Sequence, residues 1–521
     1  METDISRKQV QKNIFLLLLA TLVAASVTSK FLMSAAMILL LANWLVEGNF
    51  REKFSTARRN GTVIAFSVLY AVHVVWCLVS SNWNYATDDL VKKLPLLLIP
   101  VITITSNHLN RKNLQYLLIV YCLTVFAAST YGIIHYYSIP SLEYRKIFPH
   151  FSNIRFALNV CLAMFTVLYG IKEIFNSKTL KNKTLYITIH IIAEAVFAVI
   201  LLLLQSYTAF VILAITGTII LLRYGFQKKK KSIYLTIFIG IFLALLTGIW
   251  LVNSSFHDYY DLKVLSARPQ AKFTPSGNEY THANDGLIEM GNYVNNYVCA
   301  RELETEWAKR STIPVYAKTA DSFAVFPALI RYLNAKNLTK DSAGMAELDQ
   351  SDILQIEKGI ANPYYAEKYS IKKMLYRMFF EYELYRSFGE IRYSSMLQRF
   401  ELWKNGTEIF CNNPVLGVGT GDVNDEIRAN LRRNGSQLAD TTLRTHNQYI
   451  TILLSFGILG FGIIAFFFAR AVKRKHLLKS GLFVCFLCIV LISFISEDTL
   501  ETEAGCVFTA LWASLFNRRD E

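Results

Sequence analysis

What this chain lacks narrows it first. It has no Asp-x-Asp motif and no histidine–carboxylate cluster, so no metal site is expected and no cofactor is implied. It shows no internal repeat and no low-complexity tract, and its halves do not echo each other as those of many secondary transporters do. No small-residue cleavage site follows the basic start at Arg7, Lys8 and Lys12, so the first apolar run reads as a retained helix. The polarity of a soluble protein is missing too: 53% of the 521 residues are hydrophobic and mean hydropathy is +0.31.

Apolar runs fill both ends of the chain. They lie near Asn13–Ser29, Phe31–Val46, Thr62–Val79, Leu90–Ile104, Leu114–Ile134 and Ile154–Gly170. Others follow near Leu185–Leu204, Thr208–Leu222, Ile233–Val252, Tyr449–Phe468, Leu482–Ile495 and Ala504–Phe516. They predict an all-α polytopic integral membrane protein with about 12 transmembrane helices. Leu90–Ile104 is the least regular, because Pro95 and Pro100 suit a kinked or partly re-entrant segment.

The net charge of +15 would suit a nucleic-acid partner until it is placed on the chain. Arg51, Lys53, Arg58 and Arg59 share one loop, Arg111 and Lys112 another, and Lys172, Lys178, Lys181 and Lys183 a third. Arg223 with Lys228–Lys231, then Arg470, Lys473, Arg474 and Lys475, and finally Arg518 and Arg519 continue the alternation. With both termini cytoplasmic all fall on one side, as the positive-inside rule requires. The charge reflects topology, and nucleic acid is not an expected partner. Cys77, Cys122, Cys161, Cys485 and Cys488 lie in apolar runs, with Cys506, where they act as small hydrophobes. Cys299 and Cys411 alone lie in the large external segment, where an oxidising compartment would allow a disulfide between them.

After Val252 the composition changes. From Asn253 to Leu443 the chain is polar, aromatic-rich and charged in both signs, and it is long enough to be a domain. Three regions are expected: spans one to nine in 1–252, a large external loop domain in 253–443, and the last three spans in 444–521. Ser266–Asp285 reads as loop, Gly286–Ala308 and Ala317–Asn334 as helices, and Ile371–Phe410 as one or two amphipathic helices broken near Gly389. Leu397, Phe400, Trp403, Thr407 and Phe410 would share one face. Aromatics and arginines between Tyr376 and Phe388 suit a helix on the membrane surface, and equally one packed against the bundle.

Polar chemistry gathers in two stretches. Asn413-Pro414-Val415-Leu416-Gly417-Val418-Gly419-Thr420-Gly421-Asp422 alternates three glycines, which suits either a structural turn or a nest of N–H groups for a phosphate. No βαβ pattern surrounds it, so it is not a dinucleotide fingerprint. Arg444-Thr445-His446-Asn447-Gln448-Tyr449 stands at the lip of a span punctuated by Gly457, Gly460 and Gly462, which let another helix approach. Alone, His446 reads as a satisfied interfacial histidine or a catalytic one, and Arg399 as an ordinary helix-surface arginine.

Together these residues resemble the O-antigen ligase and O-antigen polymerase superfamily of bacterial envelope enzymes. The resemblance is carried by Arg399-x-x-x-Trp403, the Asn413–Asp422 stretch and Arg444-x-His446-Asn447-Gln448, with Lys93–Pro100 as a weaker echo. It implies a GT-C-like fold in the bacterial inner membrane, with the large helical loop in the periplasm. The implied reaction moves a glycan from an undecaprenyl pyrophosphate carrier to an acceptor hydroxyl, most directly the ligation of O-antigen to lipid A–core, with membrane lipids around it. The family's essential histidine maps to His446 and its loop arginine to Arg399. Many members carry a further arginine near the external end of the span matching Leu201–Leu222. Here Gln205-Ser206-Tyr207-Thr208 stands there, and Arg155, with Glu194 as a candidate partner, is the substitute. Arg444, Asn447, Gln448, Trp403, Gly417, Gly419, Gly421 and Asp422 are the expected substrate-binding residues.

These residue types fit the chemistry. A hydroxyl needs a base as the anomeric bond breaks, and a neutral histidine supplies one near pH 7. The pyrophosphate leaving group needs fixed cations, which arginine forks offer without a metal. Direct displacement would invert the anomeric centre. Polymerisation of the lipid-linked glycan, or transfer to protein, would use the same donor chemistry. A flippase of lipid-linked sugars is the non-enzymatic alternative.

Overall fold

The computed structural model describes residues 2–139, 146–148, 151–176, 181–229, 231–263, 270–283, 285–318, 324–366, 370–441, 444–473 and 475–517. Lys178, Lys230, Arg474, Arg518 and Arg519, read above as topological charges, and Leu443, at an expected domain limit, lie outside them.

The described residues form helices with almost no sheet. The first ten are α1 (Glu2–Ala25), α2 (Lys30–Glu47), α3 (Phe50–Arg59), α4 (Gly61–Trp76), α5 (Trp83–Thr105), α6 (Arg111–Ser138), α7 (Asn153–Asn176), α8 (Lys183–Leu204), α9 (Tyr207–Lys228) and α10 (Lys231–Tyr260). Short helices follow: α11 (Ala300–Ala308), α12 (Val325–Ala335), α13 (Ser342–Ala346) and α14 (Gln350–Glu357). The chain ends with α15 (Ile371–Phe388), α16 (Ser395–Asn412), α17 (Val423–Arg433), α18 (Gln448–Val472), α19 (Lys475–Lys479), α20 (Gly481–Ser496) and α21 (Glu503–Phe516).

A helix occupies every expected span, and the protein is an all-α, multi-pass membrane protein. By length and composition 8 of the described helices can cross a membrane: α2, α4, α6 to α10 and α18. α5 falls short because Asp88, Asp89, Lys92 and Lys93 occupy its first half, yet it runs unbroken through Pro95 and Pro100. α20 and α21 are apolar but only 16 and 14 residues long.

The chain divides into two compact units, residues 1–233 with 399–521, and residues 234–398. At the centre of the first, α21 is buried on every side from Gly505 to Phe516. Its Trp512 meets Tyr121 of α6 edge to face at 4.4 Å. A helix that is apolar all round belongs where no face meets water, and packing supplies that here.

The second unit begins with α10 and builds a small core from Leu303, Trp307, Leu329, Leu333, Ile353 and Ile356. The expected helix over Gly286–Ala308 is only half there. Met290 and Gly291 take φ of 55° and 77°, which turns Ile288–Glu289 back on Asn292–Tyr293 as a hairpin, and helix starts at Ala300. The helix expected at Ala317–Asn334 is α12, which starts at Val325. The break near Gly389 is present: φ of 66° caps α15 in the left-handed region that glycine enters freely. In α16 the packed face is Leu402, Asn405, Gly406 and Ile409, not the Leu397–Phe410 stripe. A Cβ on Gly406 would meet Ile450 at 2.7 Å and Thr445 at 3.0 Å, so the missing side chain seats α16 against the start of α18.

Cys299 and Cys411 are free thiols, which corrects the disulfide expected of them. Cys299 is buried with Tyr280 and Tyr297 inside the second unit, while Cys411 is an exposed residue of the first.

Candidate active site

α18 is two helices joined at Gly457, whose φ of 61° and ψ of −170° break the ladder. A break frees carbonyls and N–H groups that must find partners in an apolar setting. The glycine-rich stretch provides them. Val418 and Gly419 donate to the carbonyls of Leu454 and Ser455, both at 2.9 Å, while Ile458 and Leu459 donate back to Pro414 and Val415 at 2.8 and 3.2 Å. Gly417 donates to Asn413 O, and Gly421 to Ser80 Oγ. These N–H groups are engaged within the protein, so Gly417, Gly419 and Gly421 splice a broken helix rather than cradle a phosphate. Asp422 is likewise structural, accepting from Ser81 N and Asn82 N at 2.7 Å each ahead of α5.

The splice holds the start of α18, and with it the turn at 444–448. Asn447 caps the helix, accepting from Tyr449 N and Ile450 N. Gln448 is clamped by Leu500 N and Glu501 Oε1. Both amides therefore have protein partners where substrate contacts were expected. His446 has a φ of 51°, an uncommon conformation for a residue with a Cβ. Its N–H donates to Asp498 Oδ2 at 2.8 Å. Its half-buried imidazole has no hydrogen bond among the described residues.

One short segment ties these residues together. Glu497-Asp498-Thr499-Leu500-Glu501-Thr502 connects α20 to α21; Glu497 to Glu501 are buried and Thr502 is exposed. Glu497 accepts from Arg399 at 2.8 Å. Asp498 accepts from His446 N, and its Oδ1 also takes Thr451 Oγ1 at 2.7 Å. Arg155 donates to Asp498 O at 2.8 Å, Thr499 Oγ1 at 3.2 Å and Thr502 Oγ1 at 3.3 Å. Those partners replace the pairing with Glu194 expected from the sequence. Glu501 bridges Lys93 at 2.9 Å and Arg444 at 3.4 Å, and Lys93 also meets Asp89 at 2.6 Å. Arg444 completes its fork on Tyr85 Oη at 2.7 Å.

The electrostatics follow from burial. Burial pushes the Glu501 carboxyl up, but the charges of Lys93 and Arg444 outweigh it and hold Glu501 at about 2. Burial raises Asp498 above the usual carboxylate range, and the charge on Glu501 adds to the rise. Two donors stay open: Arg399 Nε and Trp403 Nε1 are buried without a partner among the described residues. Buried donors left unsatisfied are uncommon, and here both lie on α16 beside the His446 turn. Among the described residues no group of three or more His, Cys, Asp or Glu side chains gathers as a metal site would.

The structure thus brings His446, Arg399, Arg155 and Arg444 onto one segment and assigns Asn447, Gln448, Asp422 and the three glycines to the scaffold. Sequence reading missed Glu497, Asp498 and Glu501, together with Asp89, Tyr85 and the role of Lys93. Four acidic residues between Ser496 and Ala504, flanked by apolar runs, were the available signal.

No curated protein matches this chain. Residues 360–465 match the family model described as O-antigen ligase, and that span takes in Arg399, Trp403, the glycine splice and His446. Over that fifth of the chain the sequence is similar to the O-antigen ligase family, while Arg155, Lys93 and the Glu497–Thr502 segment lie outside the matched residues.

Proposed function

We propose that this protein is an inverting, metal-independent glycan transferase of the bacterial inner membrane. It takes an oligo- or polysaccharide from undecaprenyl pyrophosphate on the periplasmic face and joins it to lipid A–core, as an O-antigen ligase does. The observation that carries the reading is a free His446 imidazole on a turn fixed by Asp498, with Arg399 and Arg155 anchored on the same six-residue segment. In the reaction the acceptor oxygen attacks the anomeric carbon and the carbon–oxygen bond to the pyrophosphate breaks. His446 receives the acceptor proton, and undecaprenyl pyrophosphate departs with the bonding pair. Among the described residues Arg155 donates its hydrogen bonds to neutral oxygens rather than to a carboxylate, which leaves its fork able to turn to the departing phosphates. Arg399 Nε and Trp403 Nε1 offer two further donors to donor or sugar oxygens.

The test is transfer by purified protein from an undecaprenyl-pyrophosphate-linked glycan, with lipid A–core, a second glycan carrier or an acceptor protein supplied in parallel. Ligation to lipid A–core supports the assignment, and product formed only with the second carrier would make the protein a polymerase. His446→Ala should lower turnover by roughly 10²–10⁴-fold, the range for loss of a general base. Arg399→Lys keeps the charge but loses the fork, and is also expected to be impaired. Turnover should survive EDTA. Near-normal turnover by His446→Ala would remove the assigned mechanism.

A further inference from the structure

α15 has two unlike sides. On one, Leu375, Tyr376 and Glu383 are buried, and the Arg331 guanidinium stacks 3.5 Å from the Phe380 ring centre. On the other, Ile371, Met378, Tyr382 and Tyr385 fall within about 60° of helix circumference. Each is 37–57% exposed, although a continuous stripe of large side chains is out of place in water.

The position of that stripe follows from α10. None of the apolar stretch of α10 is buried, as expected of a helix facing lipid. Past Val252 its sequence turns polar at Asn253-Ser254-Ser255, and its last turn is Phe256–Tyr260. α15 packs on that last turn. Lys372 pairs with Asp258 at 2.7 Å, and the Tyr376 ring lies 5.8 Å from that of Tyr259. Phe379 contacts the rings of Phe256, Tyr259 and Tyr260, and the Tyr260 hydroxyl lies near the Glu383 carboxylate. From Lys372 to Glu383 is ~16 Å along α15, whereas Phe256 to Tyr260 is ~6 Å along α10. Three turns of one helix resting on a single turn of the other means that α15 crosses the tip of α10. With α10 spanning the bilayer at the usual tilt of ~20°, α15 lies nearer the membrane plane than its normal, ~6–12 Å beyond Val252.

We propose that α15 is an interfacial helix whose Ile371–Tyr385 stripe seats among lipid headgroups on the face where α10 emerges. That depth suits tyrosine, whose ring is apolar and whose hydroxyl is not. Lys372, Arg377 and Arg386 flank the stripe, each about half exposed and each in an ion pair, with Asp258, Glu381 and the buried Glu383 in turn. Exposed pairs such as Lys372–Asp258 are weak in water, so a cation at this level can also meet lipid phosphates, whereas Arg386 stays anchored on the buried Glu383. The occupant is lipid because the span itself holds the helix at this level.

The full-length protein in nanodiscs of phosphatidylethanolamine and phosphatidylglycerol tests this. On a Cys411→Ser background, Tyr382→Cys and Tyr385→Cys would each carry a fluorophore, with spin-labelled headgroup lipid as quencher. Quenching several-fold stronger than at Ser351→Cys, an exposed site in the same unit, is expected. Equal quenching at all three positions overturns the proposal, as does efficient cross-linking of two copies through the Tyr382→Cys site. If a tyrosine variant fails to fold, Met378→Cys makes the same comparison.

Discussion

His446 joins a strained backbone to a free side chain, and substitution can separate the two. Asparagine tolerates the left-handed region and caps no proton chemistry, so His446→Asn should keep its unfolding midpoint while turnover falls roughly 10²–10⁴-fold. Equal damage to fold and turnover would make the residue scaffold. Glu501 presents the opposite case. It is fully engaged by Lys93, Arg444 and Gln448, and removing one member of a buried ion network costs about 3–5 kcal/mol. Glu501→Gln in detergent should therefore unfold markedly earlier, as followed by thermal melting, and an unchanged melting point would contradict the network. Sequence reading singled out His446 and Arg444 because polar residues crowd one short motif at the lip of a span, and Arg399 only through the family resemblance; the structure sets all three against the 497–502 segment. It passed over Glu497 and Asp498 because they lie 98 and 52 residues from their partners, in a connection that hydropathy treats as a gap.

The α18 break and its glycine splice make a sharp prediction between glycines that look alike in the sequence. A Cβ on Gly417, where φ is 67°, would meet Leu454 O at 2.5 Å, and that carbonyl cannot swing away as a side chain could. Backbone strain of this kind costs about 1–3 kcal/mol before any clash is counted. Gly462 has open space around its Cβ position. Gly417→Ala should lower the yield and melting temperature of folded protein, and Gly462→Ala should change neither. Comparable losses in both would dissolve the distinction. Turn and phosphate nest stay indistinguishable in the sequence because both use left-handed glycines with converging N–H groups; only the partners of those groups decide. The expected helix over Gly286–Ala308 failed for a related reason, since a tight hairpin turn at Met290–Gly291 carries no periodic signal.

At the scale of the molecule, hydropathy made the spans legible because lipid demands long apolar helices, whereas the second unit beyond α10 obeys no such rule. That unit hides a pH sensor of stability. Lys340 is fully buried, donates to Asn334 Oδ1 at 2.8 Å, and burial lowers its ammonium to about 7. The unfolded chain keeps an ordinary lysine near ~10.4 and so binds the extra proton between the two values. Stability should rise with pH from about 7 to about 10, by at most ~1.4 kcal/mol per unit, and the penalty should be fully present below 7. Proteolysis of the 270–366 segment in increasing urea should show greater resistance at pH 9 than at pH 7, and Lys340→Met should flatten that difference. A slope that survives the substitution would assign it to other groups.

The shortness of α20 and α21 also fixes a depth. At 16 and 14 residues they reach only ~24 and ~21 Å, against ~30 Å of hydrocarbon. Were their far ends level with one surface, the carboxylates that join them would sit ~6–9 Å below the other. For the function proposed above, a substrate with a lipid tail would then present its polar end to this segment without being hauled out of the bilayer.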